Sequence, residues 1–177
     1  MCIRDRDLSI VREWYRSLVQ LHMRRAGLTT GNAADHAIEQ ALGVAARWRK
    51  EDPDNVEIDE QVATSLFAMG RPDDAKKHLS SIVERRPAEG IAWSRVATVL
   101  QREGELDGAL ETWSEAVRVE PTNPTWLLSK AEALLARGAS GDKEQARSLL
   151  SKIQDGKWQD RFQNVRYEAQ RALEGVR

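Results

Sequence analysis

The stretch that decides the fold is GIAWSRVATVLQREGELDGALETWSEAVRVEPTN, residues 90–123. On both sides of Gly104 its apolar residues recur at intervals of three and four, which is the spacing of an amphipathic helix. Glycine adopts the left-handed conformation that ends a helix more easily than other residues, and proline cannot continue a helix. We therefore expect two helices of similar length, the first ending near Gly104 and the second ending before Pro121.

The same pattern recurs along the chain with a period of 34 residues. A fixed period of this length is typical of proteins built from stacked helix pairs, in which each pair buries its apolar face against the next. Small residues at fixed positions let the two helices of a pair approach closely. The residues that recur three times at this interval are Pro53, Pro87 and Pro121; Ala63, Ala97 and Ala131; Leu66, Leu100 and Leu134; and Gly70, Gly104 and Gly138.

This pattern resembles the tetratricopeptide repeat (TPR) family of the bacterial type. Residues 90–123 match that family at Trp93, Val96, Ala97, Leu100, Gly104, Ala109, Trp113, Ala116 and Pro121. Residues 56–89 match it except that Asp59 replaces the usual first aromatic residue, and in residues 124–157 the stretch ASGD delays the second half. The resemblance covers residues 8–157. It implies an all-α, right-handed superhelical solenoid of antiparallel helix pairs.

The pattern predicts helices and a domain organisation. The helices are expected at 8–26, 33–51, 56–69, 72–86, 89–103, 106–119, 124–138, 142–154 and 158–174. We interpret residues 1–6 as an artefactual or disordered head and residues 7–55 as a divergent N-terminal helix pair. Residues 56–157 form three TPR-like units (56–89, 90–123 and 124–157), and residues 158–177 form a C-terminal capping helix, since the last unit of a solenoid needs a polar cover.

Composition argues against several classes of function. The formal net charge is −1, whereas a nucleic-acid-binding protein usually carries a basic excess, so an RNA-binding helical repeat is only the third hypothesis. One cysteine and three scattered histidines form no metal-ligand cluster, and no segment has the ~20 apolar residues of a membrane span. The sequence also lacks an HExxH motif, a glycine-rich phosphate loop and a GxSxG motif. We therefore expect no enzyme activity, no catalytic residues, no metal and no cofactor.

The resemblance implies a binding groove along the concave face, lined by the first helix of each pair. The two-carboxylate clamp of Lys, Asn and Arg that captures chaperone C-termini is absent apart from Arg102, so an extended peptide with apolar and basic side chains fits better. Trp126 is expected to be exposed near the groove edge. The residues at the family's groove positions are Glu57, Glu60, Thr64, Phe67 and Ala68; Ile91, Ser94, Thr98, Gln101 and Arg102; and Thr125, Leu128, Glu132, Leu135 and Ala136.

The leading hypothesis is a protein–protein interaction scaffold that binds a peptide or protein segment in this groove without catalysis of its own. The alternative is a C-terminal docking or oligomerisation domain of a longer bacterial protein. In that case the apolar side chains of the first helix would meet an upstream domain or a second copy. The location is expected to be cytoplasmic if the N-terminus is complete and periplasmic if a signal peptide precedes it. The apolar side chains in question are Leu8, Ile10, Val11, Trp14 and Leu18.

Overall fold

A computed structural model describes the backbone of residues 3–176 and the side chains of residues 9–176. Within these residues every regular element is helical, so the predicted all-α class is confirmed. The helices are α1 (Ile3–Gly27), α2 (Asn32–Glu51), α3 (Glu57–Ala68), α4 (Pro72–Arg85), α5 (Gly90–Arg102), α6 (Leu106–Val119), α7 (Pro124–Arg137), α8 (Asp142–Asp155) and α9 (Gln163–Gly175), with a 3-10 turn at Asp160–Phe162 before α9.

The chain forms two compact units, Met1–Ile82 and Val83–Arg177. In the first unit α1 packs against α2 and α3, and α2 also packs against α3. In the second unit each helix from α5 to α9 packs against the next one, and α9 also contacts α7. Packing between neighbours in the chain is the arrangement of a solenoid of helix pairs, as the 34-residue period predicts.

The predicted helix bounds agree with the structure to within one residue, except at the starts of the first and the last helix. Helix α1 begins at Ile3, inside the head that we predicted for residues 1–6. The remainder of that head, residues 1–2, lies outside the described residues.

The last helix starts five residues later than predicted because Trp158 folds back onto α8. Its indole N–H donates a hydrogen bond to the Ile153 carbonyl at 2.8 Å. The ring lies so close to Gly156 that a Cβ at that position would be 2.3 Å from the indole nitrogen. Residues 157–159 are therefore irregular, and Trp158 covers the end of α8 instead of starting the capping helix.

Backbone hydrogen bonds repeat along the chain together with the sequence pattern. Gly70 and Gly104 both have a positive φ, 71° and 82°, at the ends of α3 and α5. After each glycine, the next amide returns to the helix, from Arg71 to the Leu66 carbonyl at 2.9 Å and from Glu105 to the Leu100 carbonyl at 2.9 Å. Glycine satisfies the free carbonyls at these helix ends with little strain, which explains its recurrence every 34 residues.

The core of the second unit is built from alanines between large side chains. Ala97, Ala109, Ala116 and Ala131 have no exposed surface, which confirms the close helix approach expected from the sequence. Trp113 fills the space beside them and stacks on Trp126, with ring centroids 6.1 Å apart. Trp126 is buried, so the prediction that it is exposed near the groove edge is wrong.

The core of the first unit contains an aromatic stack and a buried ion pair. Tyr15 of α1 stacks on the fully buried Trp48 of α2, with ring centroids 5.8 Å apart. Asp59 of α3 is also fully buried, and Arg49 of α2 binds its carboxylate at 2.6 Å. His78 of α4 lies against the same pair, with its Nδ1 3.3 Å from the Arg49 guanidinium and 4.0 Å from the Asp59 carboxylate. Asp59 stands at the position where the resemblance predicts an aromatic side chain.

Glu120 links the starts of α5 and α7. Its carboxylate accepts hydrogen bonds from the Gly90 backbone N–H at 2.8 Å, the Asn123 side chain at 3.3 Å and the Trp126 indole at 3.1 Å. A Cβ on Gly90 would lie 2.6 Å from the Glu120 carboxyl carbon, so only glycine leaves room for this carboxylate.

We therefore expect Gly90→Ala to lower the free energy of unfolding by about 1–3 kcal/mol, because the displaced carboxylate loses charge-assisted hydrogen bonds. In a Glu120→Ala background the same substitution should be neutral or stabilising, since alanine favours a helix over glycine. Urea unfolding of the two single variants and the double variant measures this coupling. An equal effect of Gly90→Ala in both backgrounds would show that the contact with Glu120 is unimportant.

Candidate binding surface

Helices α5 and α7 run parallel to each other in the second unit. Helix α6 packs against both of them, and the connections on either side of α6 are only residues 103–105 and 120–123. Such short connections join antiparallel helices, so α5 and α7 run in the same direction. Because Glu120 bonds to Gly90 and Trp126, it also holds their N-terminal ends together.

Helix α5 exposes one stripe of side chains on the side away from its core. Ile91, Thr98 and Arg102 were predicted as groove residues, and all three are exposed. Arg95 lies between Ile91 and Thr98 at helical spacing and is exposed too, although the family's groove positions do not include it. The sequence contained the information needed to include Arg95, because residues 4, 7 and 11 positions after Ile91 lie on the same face of a helix.

The two other predicted residues of α5 point towards the interior. Ser94 is buried and its hydroxyl donates to the Ile91 carbonyl at 2.9 Å. Gln101 is half-buried, and its side-chain oxygen accepts a hydrogen bond from the Trp113 indole at 3.1 Å. Ser94 thus offers little surface to a ligand, whereas Gln101 supports the core below the stripe.

Helix α7 exposes a second stripe. Glu132, Leu135 and Ala136 are exposed and Thr125 is half-buried, while Leu128 is buried in the core. Glu132 is exposed overall, but its carboxyl group is partly shielded from water, and this raises the pKa of Glu132. The nearby Glu168 carboxylate of α9 raises that pKa further. The α7 stripe therefore presents acidic and apolar groups, and the α5 stripe presents two guanidinium groups and an isoleucine.

The predicted groove residues of the first unit lie on α3 and are more covered. Glu57 forms an ion pair with Arg16 of α1 at 2.6 Å, so its charge is already compensated. The Thr64 hydroxyl donates to the Glu60 carbonyl at 2.8 Å, and Glu60, Thr64 and Phe67 are all half-buried. Only Ala68 of this set is exposed. The second unit consequently presents the larger side-chain surface.

Two further properties concern the described part of the chain as a whole. Among residues with described side chains, no three or more His, Cys, Asp or Glu residues are placed to hold a metal ion. None of the described helices is both long enough and apolar enough to cross a membrane.

Comparison with known proteins places the chain among repeat proteins. The sequence profile of the tetratricopeptide repeat matches residues 63–113 and 96–161, which together make up more than half of the chain. The chain is similar to the solved structure of YrrB, described as a TPR protein with an unusual peptide-binding site. The identity is 19% and the TM-score 0.53, over 95% of this chain and 70% of YrrB. It is also similar to MamA, at 15% identity and a TM-score of 0.42, over 84% of this chain and 94% of MamA. Among curated proteins no sequence matches it significantly.

Proposed function

Because the chain belongs to the tetratricopeptide repeat family, we propose that it binds an extended segment of another protein along α5 and α7, without catalysis of its own. The fold supports a role as a protein-interaction scaffold. The binding surface in this proposal is the α5–α7 face, defined as Ile91, Arg95, Thr98 and Arg102 on α5 together with Thr125, Glu132, Leu135 and Ala136 on α7.

The exposure of two large apolar side chains on two parallel helices, whose N-terminal ends Glu120 joins, carries this proposal. Ile91 lies near the start of α5 and Leu135 near the end of α7, and both are exposed although the helices around them are well packed. Thr98, a small and exposed side chain, lies between the two ends of α5. An extended peptide that places apolar side chains at both ends would remove these groups from water, which is the main source of affinity in such sites.

The charges of the α5–α7 face define the chemistry of the partner. Glu132 favours a basic side chain on the peptide, as expected from the sequence. Arg95 and Arg102 favour an acidic side chain or a backbone carbonyl nearer to α5, and Arg102, which also binds the Glu103 carboxylate at 3.1 Å, would share its donors with the peptide. We therefore expect a segment of mixed charge with at least two apolar side chains. YrrB, which has the same fold and is described as having a peptide-binding site, supports the proposal by analogy.

A displayed random-peptide library tests this proposal. We expect the full chain to enrich peptides with apolar residues and at least one basic residue. Thr98→Arg places a long cation in the middle of the α5–α7 face and should weaken the binding of the enriched peptides by about tenfold or more, as expected for an obstructed and repelled contact.

Ser148→Arg is the matched control, because Ser148 is exposed on α8 and the substitution adds the same charge and a similar volume. It should leave binding unchanged.

Glu132→Lys should remove the preference for a basic residue in the peptide and retain the preference for apolar residues. If no peptide is enriched, or if Thr98→Arg and Ser148→Arg behave alike, the α5–α7 face is not the binding surface.

A further inference from the structure

Helix α1, together with the residue that follows it, carries an apolar stripe on the side that faces away from its own unit. The stripe consists of Ile10, Trp14, Leu21 and Leu28, which are 67%, 57%, 61% and 86% exposed. They are separated by 4, 7 and 7 residues, close to whole numbers of helical turns, so they lie in one line along about 27 Å. The opposite side of α1 is buried in the first unit through Tyr15, Val19, Met23 and Ala26.

An exposed apolar line of this length is unusual on a monomeric protein, since the outer helices of a repeat protein normally carry polar outer faces. Ser17 is small and continues the line between Trp14 and Leu21, whereas Arg24 and Arg25 flank it on either side between Leu21 and Leu28. Four large apolar side chains exposed together indicate a surface that a partner covers, and a partner helix would match its straight line.

The charges beside the stripe indicate what that other helix is. Glu13 and Arg24 are both exposed and are 11 residues apart, which is close to three full turns, so they lie on the same flank of the stripe. The Glu13 carboxylate also accepts a hydrogen bond from Arg16 of its own helix, so a second guanidinium would share it. Glu13 is at the N-terminal half and Arg24 at the C-terminal half. A second copy of α1 packed antiparallel across a two-fold axis places the Glu13 of each copy beside the Arg24 of the other.

The same register also pairs the apolar side chains. If Glu13 faces the partner copy's Arg24, the two-fold axis passes near residues 18 and 19. The Trp14 of each copy then lies within about one turn of the other copy's Leu21, and Ile10 lies opposite Leu28. One antiparallel arrangement thus satisfies both the charges and the apolar line. In a parallel pair Glu13 would lie about 16 Å along the helix axis from the other copy's Arg24, so the two side chains could not pair.

We propose that the stripe on α1 is a symmetric dimer interface, in which the α1 helices of two copies of this chain pack antiparallel. The interface belongs to the first unit and shares no residue with the α5–α7 face. Dimerisation would present two copies of the α5–α7 face and increase the avidity for a partner with repeated segments.

Sedimentation equilibrium of the full chain, from micromolar to near-millimolar concentration, tests the proposal. We expect a reversible monomer–dimer equilibrium. Leu21→Glu places a charge near the centre of the interface and should weaken dimerisation by about a hundredfold. Ile91→Glu is the control, because it changes an exposed apolar residue of the other unit in the same way, and it should leave the equilibrium unchanged. Circular dichroism verifies that each variant keeps its helix content.

Charge reversal distinguishes a second copy from any other occupant. Glu13→Arg and Arg24→Glu should each weaken the dimer by about tenfold, since each breaks two symmetric ion pairs, and the double variant should restore it. A chain that remains monomeric throughout overturns the proposal, as does a dimer that Leu21→Glu leaves intact. A dimer that responds to Leu21→Glu but not to the charge reversals overturns the antiparallel arrangement.

Discussion

Replacing Arg49 by methionine is expected to lower the free energy of unfolding by about 3–5 kcal/mol, because it leaves the Asp59 carboxylate buried without the Arg49 counter-ion. Asp59 has no exposed surface, and Arg49 contacts it through both Nε at 2.8 Å and Nη2 at 2.6 Å. The methionine side chain has nearly the same length as the stem of arginine, so the loss comes mainly from charge. Urea unfolding followed by circular dichroism measures it.

The double variant Arg49→Met/Asp59→Leu should regain most of this loss, because two apolar side chains in a buried position need no desolvation of charge. Leucine is also closer to the aromatic residue that TPR proteins carry at this position. Arg47→Met is the control on the same helix, since Arg47 is exposed, and it should change stability by less than about 0.5 kcal/mol. If the double variant is as unstable as Arg49→Met alone, the buried Asp59 charge is not the cause of the destabilisation.

The Arg49→Met variant should also differ from the unaltered protein in how its stability depends on pH, because His78 lies beside Arg49. Burial lowers the pKa of His78, and the Arg49 charge lowers it further, against the smaller opposing influence of Asp59 and Asp74. The folded protein therefore binds fewer protons than the unfolded chain just below the usual histidine pKa of about 6.5, and its stability falls as the pH is lowered through that range. In Arg49→Met the lowering influence of the Arg49 charge is absent, while burial still lowers the pKa of His78. The pKa of His78 should therefore be higher than in the unaltered protein, and stability should fall less steeply as the pH is lowered.

Trp113→Ala is expected to destabilise the second unit by about 3–5 kcal/mol, since it removes a large side chain from that core and leaves a cavity. Trp113 is buried, stacks on Trp126 and donates a hydrogen bond to Gln101 at 3.1 Å. Its loss also removes support from α5 and α7 at once, so peptide binding should decline together with stability.

Tyr167→Ala is the control in the same unit, because Tyr167 is an aromatic residue that remains exposed on α9. Its effect should stay within about 0.5 kcal/mol. The loss of stability in Trp113→Phe should lie between those of Trp113→Ala and Tyr167→Ala. Phenylalanine retains most of the volume of tryptophan but leaves the Gln101 oxygen without its indole donor. A Trp113→Ala protein with the stability of the unaltered chain would show that the helix pairing around α6 is wrong.

The helices and most of the core follow from the sequence because they depend on local spacing. A 34-residue period aligns Ala97 with Ala63 and Ala131, and all three are fully buried. The helix ends at Gly70 and Gly104 follow from the conformational freedom of glycine, which is a property of the single residue. These features need no knowledge of how distant parts of the chain meet.

The features that the sequence did not predict depend on contacts between helices. The replacement of an aromatic residue by Asp59 was visible, but its partners Arg49 and His78 come from two other helices and only packing brings them together. Trp126 was expected at the surface, yet it stacks on Trp113 and donates its N–H to Glu120. Trp158 was assigned to a helix that its own contact with Ile153 prevents.

The groove positions show the same limit. Family positions selected Ser94 and Leu128, which are buried, and omitted Arg95, which is exposed. The local twist of each helix decides which of two adjacent positions faces outwards, and a one-residue error rotates a side chain by about 100°. The burial of each side chain in the structure shows which of these positions face outwards. The α5–α7 face is accordingly defined by exposure and not by the family pattern.

The α5–α7 face is tested most directly by nuclear magnetic resonance of the isotope-labelled full chain, titrated with a peptide enriched in the library selection. Binding at this face predicts saturable shifts of backbone amides concentrated in α5 and α7, abolished by Thr98→Arg and preserved in Ser148→Arg. Shifts concentrated in α6 and α8 or in the first unit, or the absence of any saturable shift, would contradict binding of a peptide along α5 and α7.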